Sequence, residues 1–223
     1  MIRAIIVALC LPGAAAAACR QALALGLDVS GSVDAVEYRM QLDGLAAALH
    51  SRAVQEVLFT QPSAPVSITV YEWSGPDDQT IIVPWTALET PDMLGGAIVQ
   101  LQSHQRQPAA PTTAIGAALL AGFVLLDQRR ECWRHTLDIS GDGRANTGPR
   151  PQDISSALVP NGTIVNGLVI DPNGDAELAD YFQSYVVRGP GAFVETANGF
   201  SDYAAAMERK LLRELQSIAI GSL

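Results

Sequence analysis

The chain has 223 residues, 48% of them hydrophobic and 17% charged, which is enough apolar material for one full core without structural metals or multiple disulfides. Its formal net charge is −9, and loss of Arg3 with an N-terminal leader takes the remainder to −10. A surface that acidic excludes a role built on gripping the nucleic-acid backbone.

Arg3, the apolar run Ile5 to Leu11 and the alanines Ala14 to Ala18 read as a secretory signal peptide over residues 1–18, with cleavage near Ala18. Pro12 and Gly13 stop the run short of the ~20 residues a membrane anchor needs. Thr113 to Leu126 is apolar on nearly every side but reads as a buried helix. The expectation is a periplasmic or secreted protein with no transmembrane segment in its mature part, residues 19–223 forming one domain.

Cys10 falls inside the leader, leaving Cys19 and Cys132. An even pair in an oxidising compartment suggests one disulfide. The alternative is a lipidated N-terminus at Cys19, although Ala16-Ala17-Ala18 lacks the large aliphatic residue such sites carry three positions earlier.

Past the leader, short apolar runs alternate with helical patterns, which argues for a mainly parallel sheet covered by helices on both faces. Ala22 to Asp28 is an almost unbroken apolar run, as a strand buried on both faces requires. Asp34 and Glu37 have capping-box spacing, and Tyr38, Leu42, Leu45 and Leu49 continue as an amphipathic helix to about His50. Val66 to Trp73 and Ile81 to Trp85 are strands joined by the turn formers Ser74 to Asp78, an antiparallel hairpin at one edge. Pro91 to Ser103 and Thr113 to Asp127 read as helices separated by Pro108 to Pro111. His135 to Ser140, Thr163 to Ile170 and Ala192 to Thr196 are the remaining strands. A terminal helix from about Asp202 turns Tyr203, Met207, Leu211, Leu215 and Ile218 inward.

Asp28-Val29-Ser30-Gly31-Ser32 puts three oxygen side chains at alternate positions just past the first strand, where alternate residues point the same way. A cation such as Mg²⁺ takes about six oxygens at ~2.1 Å and often keeps several waters, so one carboxylate and two hydroxyls supply part of a shell. The other candidates are Thr112-Thr113-Ala114-Ile115-Gly116 at a helix start and Ser140-Gly141-Asp142-Gly143 beyond a later strand. In an open α/β sheet such segments meet outside the carboxyl ends of the strands, where strand order reverses.

These three segments resemble the metal-ion-dependent adhesion site of von Willebrand A domains, whose pattern is Asp-x-Ser-x-Ser, a threonine before a helix, and an aspartate after a strand. The resemblance covers most of the chain past the leader. It implies a three-layer, Rossmann-like fold with a mostly parallel sheet and one antiparallel edge strand. By position, Asp28, Ser30, Ser32, Thr113 (with Gly116 three residues on) and Asp142 would hold a divalent cation, Mg²⁺ or else Mn²⁺ or Ca²⁺. Thr112 could replace Thr113. The usual third element is Thr-Asp-Gly; here one extra small residue intervenes, and Asp138 is the alternative carboxylate. More narrowly, Asp28 to Val33, Tyr71 to Pro76, Val83-Pro84-Trp85 and Asp138 to Gly143 look like a family of uncharacterised exported bacterial proteins with no assigned activity.

The same fold bears on the cysteines. Cys19 lies nine positions before Asp28 and Cys132 ten before Asp142. On parallel neighbouring strands about 4.8 Å apart, as this fold would have them, both reach the opposite end of the sheet within disulfide distance.

The resemblance implies a binding or adhesion module in which an acidic group of a protein partner completes the shell of the cation. A metal-dependent phosphate or ester hydrolase is the rival class, and a metal-free structural protein of the same fold the third. No general base stands out: His50, His104 and His135 fall at element ends away from the expected cleft. Ser30 and Ser140 lack the Gly-x-Ser-x-Gly setting of serine hydrolases. Glu72 and Trp73, near the end of the second strand, either border the binding surface or are a solvated carboxylate and a buried core ring respectively.

Overall fold

The computed structural model describes residues 18–174 and 176–220, the last four of these by backbone only. The leader expected over residues 1–18 therefore lies almost wholly outside the described residues, as does the inward placement of Ile218.

In chain order the elements are β1 (Gln21–Asp28), α1 (Ala35–His50), α2 (Arg52–Leu58), β2 (Val66–Trp73), β3 (Gln79–Ala87), α3 (Pro91–Ser103), α4 (Ile115–Asp127), β4 (His135–Gly141), β5 (Thr163–Ile170), α5 (Ala176–Tyr181), β6 (Val194–Ala197) and α6 (Tyr203–Ile220). α5 continues into a π-helical turn, Phe182–Val186. The strands form one sheet in the order β3-β2-β1-β4-β5-β6, parallel except for the β2–β3 pair at one edge.

Every residue of β1 is buried, because both faces of the sheet are covered. Leu23, Leu25 and Leu27 point to the side of α1, α3 and α6, where Leu42, Leu45, Leu101, Met207 and Leu211 complete one core. Ala22 and Ala24 point the other way, to Tyr71, Leu137, Ile139, α4 residues Leu119 and Phe123, and Phe182. The switch from one face to the other at each residue is the period of two expected of a strand in a three-layer fold.

Several boundaries differ from those read in the sequence. The helix expected from Thr113 starts at Ile115, since the backbone N–H of Thr113 donates to Asn146 Oδ1 (2.9 Å) and its carbonyl accepts from Asn146 N (3.0 Å). The last strand begins two residues later than expected because Ala192 N donates back to Gly189 and closes the turn. α2 and α5 had no clear signal: α2 buries only Val54 and Leu58, and α5 buries nothing.

Cys19 and Cys132 face each other at the start of β1 and β4 and are joined by a disulfide, with Cα atoms 4.5 Å apart. A sulfur so engaged is not available for lipidation. No helix among the described residues is long and apolar enough to cross a membrane.

Candidate functional site at the carboxyl ends of β1 and β4

From the central strand β1 the chain proceeds to β2 on one side and later to β4 on the other, so strand order reverses between β1 and β4. That crevice is where an open α/β sheet binds ligands. Asp28 closes β1 and Gly141 closes β4, which brings the first and third sequence segments together there.

Asp28 is fully buried. Its Oδ1 accepts from Ser30 N at 2.8 Å, while Oδ2, also buried, has no hydrogen-bond partner. Ser30 Oγ lies 3.2 Å from Ser32 Oγ, and Ser32 Oγ donates to Asp142 Oδ1 at 2.7 Å. A continuous chain of oxygens thus runs from the buried Ser30 through the exposed Ser32 to the half-buried Asp142. Burial pushes the Asp28 carboxyl up to about 7; the Ser30 N–H opposes this, the nearby Asp142 carboxylate adds to it, and the Ser30 hydroxyl and the Asp142 backbone N–H pull weakly the other way.

The loop carrying these oxygens is held from beneath. Arg106 Nη1 donates to Val33 O (2.6 Å), and its Nη2 donates to Val29 O (2.7 Å) and Ser30 O (3.1 Å). The same guanidinium lies 5.6 Å from the centre of the Tyr38 ring, and Gln41 Nε2 donates to Asp28 O at 2.8 Å. Gly31 N donates to Pro111 O at 3.0 Å, and a Cβ on Gly31 would come within 2.8 Å of the Pro111 side chain. The loop therefore packs directly against the segment that leads to Thr113. Asp34 Oδ1 then accepts from Val36 N and Glu37 N and starts α1.

Thr113 is buried just before α4, with its backbone fixed by Asn146 from the loop after β4. Gly116 allows the first turn of α4 to meet that loop, since a Cβ there would lie 1.9 Å from Pro149 O. Thr112 is half-buried and packs over the β2–β3 turn, 3.4 Å from the Cβ position of Gly75.

The remaining candidates lie elsewhere. Asp138, the alternative carboxylate, is buried in mid-strand with Lys210 Nζ 2.5 Å from its Oδ1. Glu72 and Trp73 are buried, so neither borders a surface: Glu72 Oε2 accepts from Tyr38 OH (2.9 Å) and stands 3.5 Å from His104 Nε2, and Trp73 packs in the α4 core. Strand alternation turns Glu72 inward to α1 and Trp73 inward to α4, because β2 is covered on both faces. His135 bonds Arg129 O, at the far end of the sheet from Asp28.

Among the described residues no group of three or more His, Cys, Asp or Glu is arranged to hold a metal. The donors gathered here are different in kind, two carboxylates with hydroxyls. Beside Asp142 opens a groove of about 470 Å³ lined by Glu37, Arg144, Asp171, Leu178 and Phe200, among others. Sequence reasoning missed Arg106 and Asn146: both sit in irregular loops, where side-chain bonds to backbone leave no periodic trace.

The fold is that of von Willebrand A domains. Proximal thread matrix protein 1 from the mussel byssus superposes with a TM-score of 0.65 at 18% identity, over 90% of this chain and 49% of that one. A second structure of that mussel protein has a zinc-occupied MIDAS motif, the metal-ion-dependent adhesion site (TM-score 0.65, 18% identity, 89% of this chain and 48% of that one). A von Willebrand factor type A protein from Catenulispora acidiphila gives 0.59 at 12% identity, over 88% of this chain and 43% of that one. The chain thus spans about half the length of these proteins, and at such identities the likeness is one of fold. No curated protein matches the sequence significantly. The family model described as "Protein of unknown function (DUF1194)" matches residues 18–219, and the chain belongs to that family.

Proposed function

We propose that this chain is an exported, metal-dependent binding module. Asp28, Ser30, Ser32, Thr113 and Asp142 hold a Mg²⁺-type cation, and an acidic group of a protein partner completes its shell. The observation that carries this reading is the Oδ2 atom of Asp28, a carboxylate oxygen buried at the switch point with no hydrogen-bond partner. An ionised oxygen so placed is strongly disfavoured unless a cation or donor meets it.

The donor set fits a hard cation: two carboxylates and neutral hydroxyls, with no thiolate or imidazole joined to them. Zinc occupancy belongs to the mussel protein; all-oxygen donors here favour Mg²⁺, Mn²⁺ or Ca²⁺. Two carboxylates and a few hydroxyls fill only part of the roughly six-oxygen shell of such an ion, and its chemistry is to take a further anionic oxygen at an open position. Arg106 and Gln41 fix the loop backbone, so the hydroxyls are oriented before the ion arrives. The Cys19–Cys132 disulfide suits an oxidising compartment and supports a periplasmic or secreted location.

The test is a Mg²⁺ and Mn²⁺ titration of residues 19–223, followed by melting temperature, beside Asp28→Asn and Asp142→Ala. Saturable stabilisation in the wild type alone is expected. Equal response, or none, in all three proteins would overturn the reading.

A further inference from the structure

On the face of the sheet covered by α6, three ionisable side chains are sealed from solvent. Lys210 is 0% exposed, Asp138 1% and Glu214 3%. Lys210 Nζ stands 2.5 Å from Asp138 Oδ1 and 2.6 Å from Glu214 Oε1. Asn166, the register partner of Asp138 on β5, donates through Nδ2 to the same Glu214 oxygen at 2.6 Å. The Phe193 ring centre lies 5.4 Å from the ammonium. Neither oxygen of Asp138 has a hydrogen-bond donor apart from Lys210. Glu214 also lines a small cavity of about 100 Å³ with Arg134 and Arg213, at the end of the sheet opposite Asp28.

We propose that Lys210 and Asp138 condense to an intramolecular amide that joins α6 to β4, with Glu214 as the proton carrier. The amine and the carboxyl are held in contact in a dry site, which replaces the encounter of two reactants by a fixed near-attack arrangement. In the step, the Lys210 ammonium passes a proton to Glu214, and the freed Nζ lone pair attacks Cγ of the protonated Asp138 carboxyl. The Nζ–Cγ bond forms, a Cγ–O bond breaks, the hydroxyl leaves as water with the proton held by Glu214, and the second proton of Nζ passes to the Glu214 carboxylate so left. The net change is ammonium, the Asp138 carboxylic acid and the Glu214 carboxylate to amide, one water and the Glu214 carboxylic acid, with no oxidant, reductant or cofactor.

Two features favour this outcome over a lasting ion pair. Condensation removes two buried charges, each costly to keep from water, and the small cavity at Glu214 offers the released water a way out. Burial pushes the Asp138 carboxyl up, to about 7 even against Lys210, which supplies its protonated form. Burial also works against the ammonium of Lys210, but Asp138 and Glu214 outweigh it and raise its pKa. The amine is therefore released only by handing its proton to a neighbour, which makes Glu214 necessary.

Intact mass spectrometry of the purified, reduced wild-type protein decides the matter. The expected mass is below that of the sequence by one water, about 18 Da, and a protease digest yields a branched peptide joining the Asp138 and Lys210 segments. Lys210→Arg and Glu214→Gln, analysed the same way, should have the full sequence mass. A wild-type mass without the loss overturns the proposal whatever the variants do. Loss of ammonia instead, about 17 Da with the branch at Asn166, overturns the assignment to Asp138.

Discussion

Gly141, the last residue of β4, faces Asp28 so closely that a Cβ at this position would stand 3.2 Å from Asp28 Oδ2. The small residue that separates Ser140 from Asp142 thus leaves the buried carboxylate its space. Gly141→Ala should shift that carboxylate by a few tenths of an ångström without disturbing the strand. Affinity for Mn²⁺ is expected to fall about tenfold, equivalent to about 1.4 kcal/mol, with the metal-free melting temperature nearly unchanged. Unaltered affinity in a titration would show that Asp28 does not touch the ion.

Stability of the metal-free protein should depend on pH through Asp28. Its folded pKa of about 7 lies above the ordinary 3.8, so its contribution is fully present below about pH 4 and is lost as pH rises through 7. The loss is of the order of 4 kcal/mol. Asp138 is shifted in the same direction, so the informative quantity is the difference between wild type and Asp28→Asn. In urea denaturation that difference should grow in favour of the variant from pH 4 to pH 8, and it should shrink and then reverse as Mg²⁺ is raised to saturation, because only the wild type gains from the ion.

Arg106 should matter to the site although it donates only to backbone. Removing three bonds to Val29, Ser30 and Val33 in Arg106→Ala frees the loop that presents Ser30 and Ser32. Cation affinity is expected to drop at least tenfold and stability by about 2–3 kcal/mol, as for charged hydrogen bonds elsewhere. Arg106→Lys, which keeps the charge but not the fork, should recover only part of the affinity. Equal affinity in all three proteins would reduce Arg106 to packing.

Reducing the Cys19–Cys132 bond, which closes a separation of 113 residues, should destabilise the protein by about 2–5 kcal/mol. Denaturation midpoints of the oxidised protein and Cys132→Ser measure this. The candidate site is remote from the bond, so cation affinity in the folded variant should not change.

Much of this was legible in the sequence because buried parallel strands and amphipathic helices leave strong periodic patterns. Val66–Trp73, Pro91–Ser103 and Thr163–Ile170 have the boundaries the pattern gave them. The rule for open sheets put the segments of Asp28 and Asp142 at the carboxyl ends of strands, and the resemblance to von Willebrand A domains paired the two residues. What stayed hidden depends on contacts from distant loops: Asn146 delays α4 by two residues, and Arg106 reaches back 73 to 77 positions to the Val29–Val33 loop. Glu72 and Asp138 look like site carboxylates in one dimension; only the tertiary partners Tyr38 and Lys210 show why they are inside.

β1 and β4 are paired in parallel from Ala22 and His135 to Leu27 and Ser140, with the candidate site at one end and the disulfide at the other. Traction on a partner held at Asp28 and Asp142 would run lengthwise down both strands. It would load their ladder of backbone hydrogen bonds in shear, many at once, instead of opening them one after another. At the far end the sulfur bridge prevents either strand from sliding past the other, so the two central strands bear a pull as one mechanical unit.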